Sequence, residues 1–360
     1  MAAGWVGLGR PARYSSQKVI CVVVGAGRPE VEGGADRRTW GVRSMIQSPT
    51  LDGLRELELH YRTPDARFAR SPAAGRGCPS PLPLPVLRLA PTLQLLYVSC
   101  DRCRLDIPAG APPPGLFPHL EQMTLKGVSI AEGTLHAILA GCPALRSLVL
   151  HYNIGYRRLR ISSETLRSLS VTDGHRDCEG RFEEVIIELA PLLERLIPDG
   201  LMHDPQIRVI QAPKLKVLGH LYSRDGISTR VFKAFSGRWP RFSTAQRNAP
   251  LECLDAHLRV LQVTHYTGKP SVVDLVRFFL SNARVLESVR LRVGAVNCYQ
   301  YQKWVATQFK KLRLDTGSAA ASQGARIAFE NDHWPSADRV PVKHIHDLAL
   351  EDPFDRSLRE

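Results

Sequence analysis

Leu145-Arg146-Ser147-Leu148-Val149-Leu150-His151-Tyr152-Asn153 places apolar residues at its first, fourth and sixth positions and an asparagine at its ninth. The fourth and sixth positions lie two apart, so a short strand turns both to one face, while the first sits in the turn leading into it. The pattern L-x-x-L-x-L returns, with conservative swaps, at Leu54-Leu57-Leu59, Leu93-Leu96-Val98, Leu120-Met123-Leu125 and Leu166-Leu169-Val171. It continues at Leu215-Leu218, Leu258-Leu261-Val263, Leu286-Val289-Leu291 and Ile345-Leu348-Leu350, with Leu193-Leu196 as a partial copy. From Leu93 the first positions are 27, 25, 21, 27, 22, 43 and 28 residues apart. Most of these spacings fall in the range of about 20–29 residues at which leucine-rich repeats stack. One such unit cannot bury its own apolar face, so neighbours must pile up.

Between the strands the period turns helical. Ser129 and Glu132 have the spacing of a capping box, Leu135, Ile138 and Leu139 share one helical face, and Gly141 is placed for a left-handed stop. Pro270-Ser271 opens a second such helix, with Val272, Leu275, Val276 and Phe279 as its stripe. Asn153 is the asparagine whose amide bonds neighbouring turns in such arrays, and the other copies lack it. The expectation is an α/β fold: an irregular leucine-rich-repeat solenoid, a curved parallel sheet with outer helices or turns, closing on a last strand at Leu348–Leu350. Tyr301, Trp304, Val305 and Leu312 fall on one face of a helix and read as core.

Two Pro-rich stretches, Ser71–Pro85 and Pro108–Pro118, interrupt the first half; proline lacks a donor and fixes φ, so neither is a central element. Pro79-Ser80-Pro81-Leu82-Pro83-Leu84-Pro85 has the composition of an extended left-handed helix, but no basic residue stands at useful spacing and a surface loop accounts for it.

Hydrophobic residues make up 44% of the 360 and charged residues 23%, enough of each to build a packed core. The apolar run Val19–Val24 is far short of the roughly 20 residues of a membrane span, and no signal peptide is visible. The net charge of +13 favours acidic partners, but the basic residues are scattered. The tightest clusters, Arg157-Arg158-Arg160 and Lys310-Lys311-Arg313, read as solvated faces rather than a nucleic-acid site. Eight cysteines, mostly isolated, read as reduced thiols of a cytoplasmic or nuclear protein.

The chain offers no catalytic motif. Val19–Gly25 followed by Ala26-Gly27 looks like the start of a dinucleotide-binding turn, yet the third glycine of the fingerprint is Glu30. Cys100-Asp101-Arg102-Cys103 is half a zinc site without its other half, and burial of the two cysteines is the better account. His344-Ile345-His346-Asp347, with Asp332-His333 upstream, has too few well-placed ligands for a metal. No catalytic, cofactor-binding or metal residue is nominated, and the partner-binding residues stay unassigned.

The C-terminal half carries a resemblance. Cys253 to Gly268, with Leu258-Arg259-Val260-Leu261-Gln262-Val263, then Val273 to Ala283 and Arg284 to Leu291, resemble the FBD segment of plant F-box/leucine-rich-repeat proteins, especially those expanded in grasses. Ser322 to Phe329, His346 to Phe354, Gly141 to Leu148 and Ala190 to Leu196 are similar to further stretches of that family. The resemblance implies a non-enzymatic substrate receptor of a Skp–cullin–F-box ubiquitin ligase, whose F-box helices dock on the Skp adaptor while the repeats present the target. An F-box opens on a Leu-Pro run and an apolar helix; residues 1–50 carry neither, so adaptor and cullin are expected partners only if a divergent F-box is present. The alternative is a repeat module or decoy with no ligase connection. The expected organisation is an undefined segment 1–50, repeats 51–250, FBD-like repeats 251–354 and a tail 355–360. No cofactor, nucleic acid or membrane partner is expected.

Overall fold

The computed structural model describes residues 19–25, 47–62, 84–105, 115–172, 182–198, 206–222, 252–293, 301–312, 324–331 and 340–355. Those up to Tyr156 form one compact unit and those from Arg157 a second. Most of the Pro-rich stretches, the residues after Gly25 up to Ile46, and Asp332-His333 lie outside the described residues.

In the first unit β1 (Val19–Gly25), β2 (Glu56–Arg62), β3 (Leu95–Arg104), β4 (Gln122–Ser129) and β5 (Ser147–His151) pair in that order, all parallel. The register joins equivalent positions of the pattern: Leu57 with Leu96, Leu96 with Met123, and Met123 with Leu148. Leu59, Val98, Leu125 and Leu150 form the next row, and both rows are buried. The valine run that mimics a dinucleotide turn is thus a strand beside β2.

Asn153 acts as expected. Its Oδ1 accepts from the Val128 N–H at 2.8 Å and its Nδ2 donates to the Leu125 carbonyl at 2.9 Å, satisfying two buried backbone groups of the preceding repeat. The turn continues through Gly155 at φ +98°, where a Cβ would lie 2.6 Å from the Ile130 carbonyl oxygen, so only glycine fits.

The helix α1 (Glu132–Ala140) buries Leu135 and Ile138, but its ends differ from expectation. Ser129 does not cap it: it is the last residue of β4, its carbonyl accepts from Leu105, and Ala131 stands at the N-cap with no side-chain bond. The sheet ladder holds Ser129 extended and outweighs a cap worth about 1 kcal/mol. Gly141 is not left-handed (φ −81°). Its lack of a side chain serves close approach instead, because a Cβ there would meet the Leu116 Cβ at 3.1 Å.

Cys100 and Cys103 are joined by a disulfide, which corrects the reading of both as reduced thiols. In a regular strand, residues three apart are about 10 Å apart, out of bonding range. Here the pairing of β3 with β4 slips between Ser99 and Cys103, and this bulge brings the two Cα atoms to 5.9 Å. Cys142 and Cys253 are buried and take part in no disulfide, and burial pushes the Cys142 thiol up to about 12.

In the second unit β7 (Ser168–Thr172), β9 (Arg195–Pro198), β11 (Val217–Tyr222), β12 (Val260–Thr264), β13 (Ser288–Val293) and β14 (Arg326–Asn331) pair in parallel. Leu169, Leu196, Leu218, Leu261, Val289 and Ile327 align across them. A second parallel sheet, β6 (Arg158–Ser162), β8 (Glu184–Leu189) and β10 (Gln206–Val209), stands where outer helices or turns were expected. The period of two in Arg158-Leu159-Arg160-Ile161-Ser162 and the run Val185-Ile186-Ile187 favour extended chain. The repeats that hold β6 and β10 have the two shortest spacings, 21 and 22 residues, while the one that holds β8 spans 27. A strand covers a given distance in about half the residues of a helix, at roughly 3.3 against 1.5 Å per residue. The solvated-face reading of Arg157, Arg158 and Arg160 fits their exposed side chains, with Arg160 paired to Glu188 at 3.3 Å.

Helices cover the later repeats. After α2 (Glu252–Ala256), α3 (Pro270–Asn282) starts on its proline and buries the expected stripe together with Val273 and Leu280. On α4 (Tyr301–Lys311), Trp304 meets Tyr266 and Phe329 edge-to-face with ring centres 6.0 and 6.1 Å apart. Trp304 and Val305 are half-buried and Leu312 is fully buried, in line with a core face.

Candidate partner-binding face

Each strand turns its leucines to the core and its alternate residues to the opposite face. In the second unit that face carries Ser168 on β7, Arg195 on β9, Gly219 on β11, Gln262 on β12 and Arg290 on β13. The C-terminal segment 340–355 lies over it. This replaces the expected final strand: Ile345 belongs to the short helix α5 (Val342–His346), and Leu348–Leu350 is a turn. Two aspartates explain the turn. The Asp347 carboxylate accepts from the Ala349 N–H at 3.0 Å, and that of Asp352 from the Phe354 N–H at 2.9 Å, local bonds that compete with a ladder. The last strand among the described residues is instead β14, whose Ile327 pairs with Val289.

Arg195 anchors the segment. Its guanidinium is buried and donates to the carbonyls of His344 at 3.1 Å, Asp347 at 2.7 Å and Leu350. Burial lowers its pKa, and the carboxylates of Glu194 and Asp347 oppose the shift. The Ser168 hydroxyl donates to the Ile345 carbonyl at 3.0 Å, and Arg290 holds the Asp352 carboxylate at 2.5 Å. Phe354 packs over Gly219: a Cβ on that glycine would come within 2.7 Å of the ring's Cε2. Beside the segment runs a groove of about 590 Å³, with Lys216, Arg259 and Glu287 on one side and Leu348 to Asp352 on the other. His344 is buried with its Nδ1 unbonded, and no cluster of three or more metal-ligating side chains exists among the described residues.

A charged ladder lines the leading edge of β7, β9, β11, β12 and β13, at the second position of each L-x-x-L there: Arg167, Glu194, Lys216, Arg259 and Glu287. The Glu194 carbonyl accepts from the N–H groups of Lys216 and Val217, and the Arg259 carbonyl from those of Glu287 and Ser288. Carboxylates sit between or beside cations: Glu194 bonds Arg167 Nε at 2.7 Å and Lys216 at 2.9 Å, and Arg259, next to Lys216, pairs with Glu287 at 2.9 Å. Exposed pairs of this kind contribute little, but the Glu194 side chain is only 15% exposed. Burial alone would raise its pKa; the bonds from Lys216 and Arg167 overcome that and hold it below the usual value. A carboxylate depressed in the folded state stabilises above its unfolded pKa, and that contribution is lost as pH falls through the folded one. Wild type is therefore expected to exceed Glu194→Gln in stability at neutral pH, with the gap closing below about pH 4.5. Denaturant midpoints measured from pH 7 to 3 check this; a gap independent of pH would refute it.

Residues 42–244 match the family model described as FBD-associated F-box protein At5g56370, LRR repeats, and residues 246–291 match the FBD model. The first match alone spans more than half of the chain. The chain belongs to the leucine-rich-repeat family of FBD-associated F-box proteins. No curated protein matches it, and no solved structure does. The FBD match takes in α2, β12, α3 and the start of β13, the stretch whose residues resemble that segment in the sequence. Leucine-rich repeats joined to an FBD segment form a protein-interaction architecture, and such families are typically non-catalytic. Among the described residues, no helix is long and apolar enough to cross a membrane.

Sequence reasoning assigned no binding residue. Arg195, Gly219 and Arg290 lie inside repeats that look like their neighbours, and Asp352 and Phe354 lie beyond both matched regions. Only the fold brings the five together.

Proposed function

We propose that this protein is a non-catalytic substrate receptor of the Skp–cullin–F-box type, acting in the cytoplasm or nucleus, whose repeats hold a protein to be ubiquitinated. The observation that carries the reading is the direct succession of F-box-type leucine-rich repeats and an FBD segment in one chain. Such a receptor does no bond chemistry; it raises the effective concentration of a target lysine near a charged conjugating enzyme. Residues 51–250 and 251–354 are the repeat and FBD parts of this reading, and 355–360 its tail. The docking part falls to residues 1–50, and the expected partners are a Skp adaptor, a cullin and a protein substrate, not a nucleic acid or a membrane.

A second reading rests on β1. Residues 19–25 extend the repeat sheet beside β2, whereas an F-box is helical, and this favours a repeat module or decoy without a ligase connection. A pull-down with a plant Skp adaptor, using the chain from Met1, separates the two. Specific capture of the adaptor supports the receptor. No capture by a protein shown to be folded supports the module, and overexpression should then lengthen the partner's half-life.

A further inference from the structure

We infer that the polar face of β7, β9, β11, β12 and β13 is a peptide-binding cleft occupied by the chain's own C-terminal segment, and that it takes a partner peptide carrying an acidic residue two positions before an aromatic one. This rests on the reading of the repeats as a partner-binding module and names the chemistry of what they bind.

The cleft reads three features of the segment. Arg195 and Ser168 take main-chain carbonyls, which a peptide supplies when it coils and turns as residues 344–350 do. Arg290 takes the carboxylate of Asp352, and Glu330, 3.8 Å from the same guanidinium, fixes it from the other side. Gly219 opens the space that the Phe354 ring fills, and no other residue type leaves that space. Asp352-Pro353-Phe354 is thus the recognised motif, with the carbonyls before it setting the direction of the chain.

The resident segment is an imperfect occupant. Ala349 and Glu351 are exposed, Leu348 and Leu350 are half-exposed, and the groove beside them is open. Gln262, next to Gly219 on the same face, is 2% exposed, yet its Oε1 has no donor, and Thr172 Oγ1 on β7 is likewise unbonded. A buried acceptor left unmet is costly, so a peptide that brings an N–H to Gln262 and fills the groove binds better than the resident one. Tethering gives the resident segment a high local concentration, so it screens out weak competitors and yields to strong ones.

The probe is a fluorescein-labelled synthetic peptide of residues 343–355, titrated by anisotropy into the full chain. The Asp352→Lys/Phe354→Ala variant, whose own segment is loosened, should bind it about tenfold or more tightly than wild type. A peptide carrying the same two substitutions should not bind, and Gly219→Leu in the loosened background should abolish binding. Equal affinity for wild type and the folded double variant, or equal binding of the substituted peptide, overturns the inference. Should the double variant not fold, excess peptide on wild type must speed amide exchange at Ala349 and Phe354; unchanged exchange overturns it as well. Adaptor capture from Met1 reports separately: adaptor bound without peptide binding removes the cleft and keeps the receptor, and the reverse keeps the cleft alone.

Discussion

Leu261→Ala should destabilise the second unit by about 3–5 kcal/mol, the upper part of the range for emptying a leucine site in a tight core. Leu261 is fully buried on β12, aligned with Leu218 on one side and Val289 on the other. The loss has two parts, the transfer free energy of the removed atoms and the cavity left behind, because sheet register keeps the neighbouring strands from closing in. Leu261→Met keeps the volume and should cost less than about 1.5 kcal/mol. Guanidinium denaturation followed by circular dichroism measures both. A cost under 1 kcal/mol for the alanine variant would mean that the aligned leucine row is not the core.

Arg195→Met should cost about 2–4 kcal/mol, and most of it should appear as release of residues 340–355. Methionine keeps the bulk of the side chain and removes a cation that serves three carbonyls. Hydrogen bonds to a charged group contribute about 1.5–3 kcal/mol each when measured singly and are not additive. Part is returned because a buried cation carries a desolvation cost that the substitution removes. Arg195→Lys should fall between, since an ammonium cannot reach three divergent acceptors with one planar fork. Hydrogen exchange at Ala349 and Phe354 is the discriminating measurement. Protection unchanged in Arg195→Met would show that the segment is held without its anchor.

The repeat was legible because its signal is local. Leucines two apart on a strand, with another three residues earlier in its turn, must reach one face, and repeats spaced mostly 21 to 28 residues apart must stack. Asn153 and the Pro270 helix were legible for the same reason: each side chain acts on backbone within one repeat of itself. The misreadings occurred where a local rule met a longer-range competitor. Ser129 is a good cap on sequence grounds, but the ladder of β4 claims it. Cys100 and Cys103 look like separate buried thiols until a register slip against β4 folds β3 between them. The outer strands β6, β8 and β10 carry only a faint strand signal, and pairing with one another converts it into a sheet.

By itself, then, the sequence determined the architecture: parallel strands with one leucine row, the phase of each repeat, the positions of the later helices, and membership in a family of interaction proteins. The tertiary structure alone decided what lies on the opposite face. Arg195 contacts residues about 150 positions away, and Gly219 meets a ring at Phe354. No periodicity links such positions, because the segment is held there by carbonyl, carboxylate and ring contacts that obey no repeat spacing. Core rows repeat because stacking demands it; the face that receives a partner is under no such demand, so its chemistry becomes visible only when the strands stand side by side.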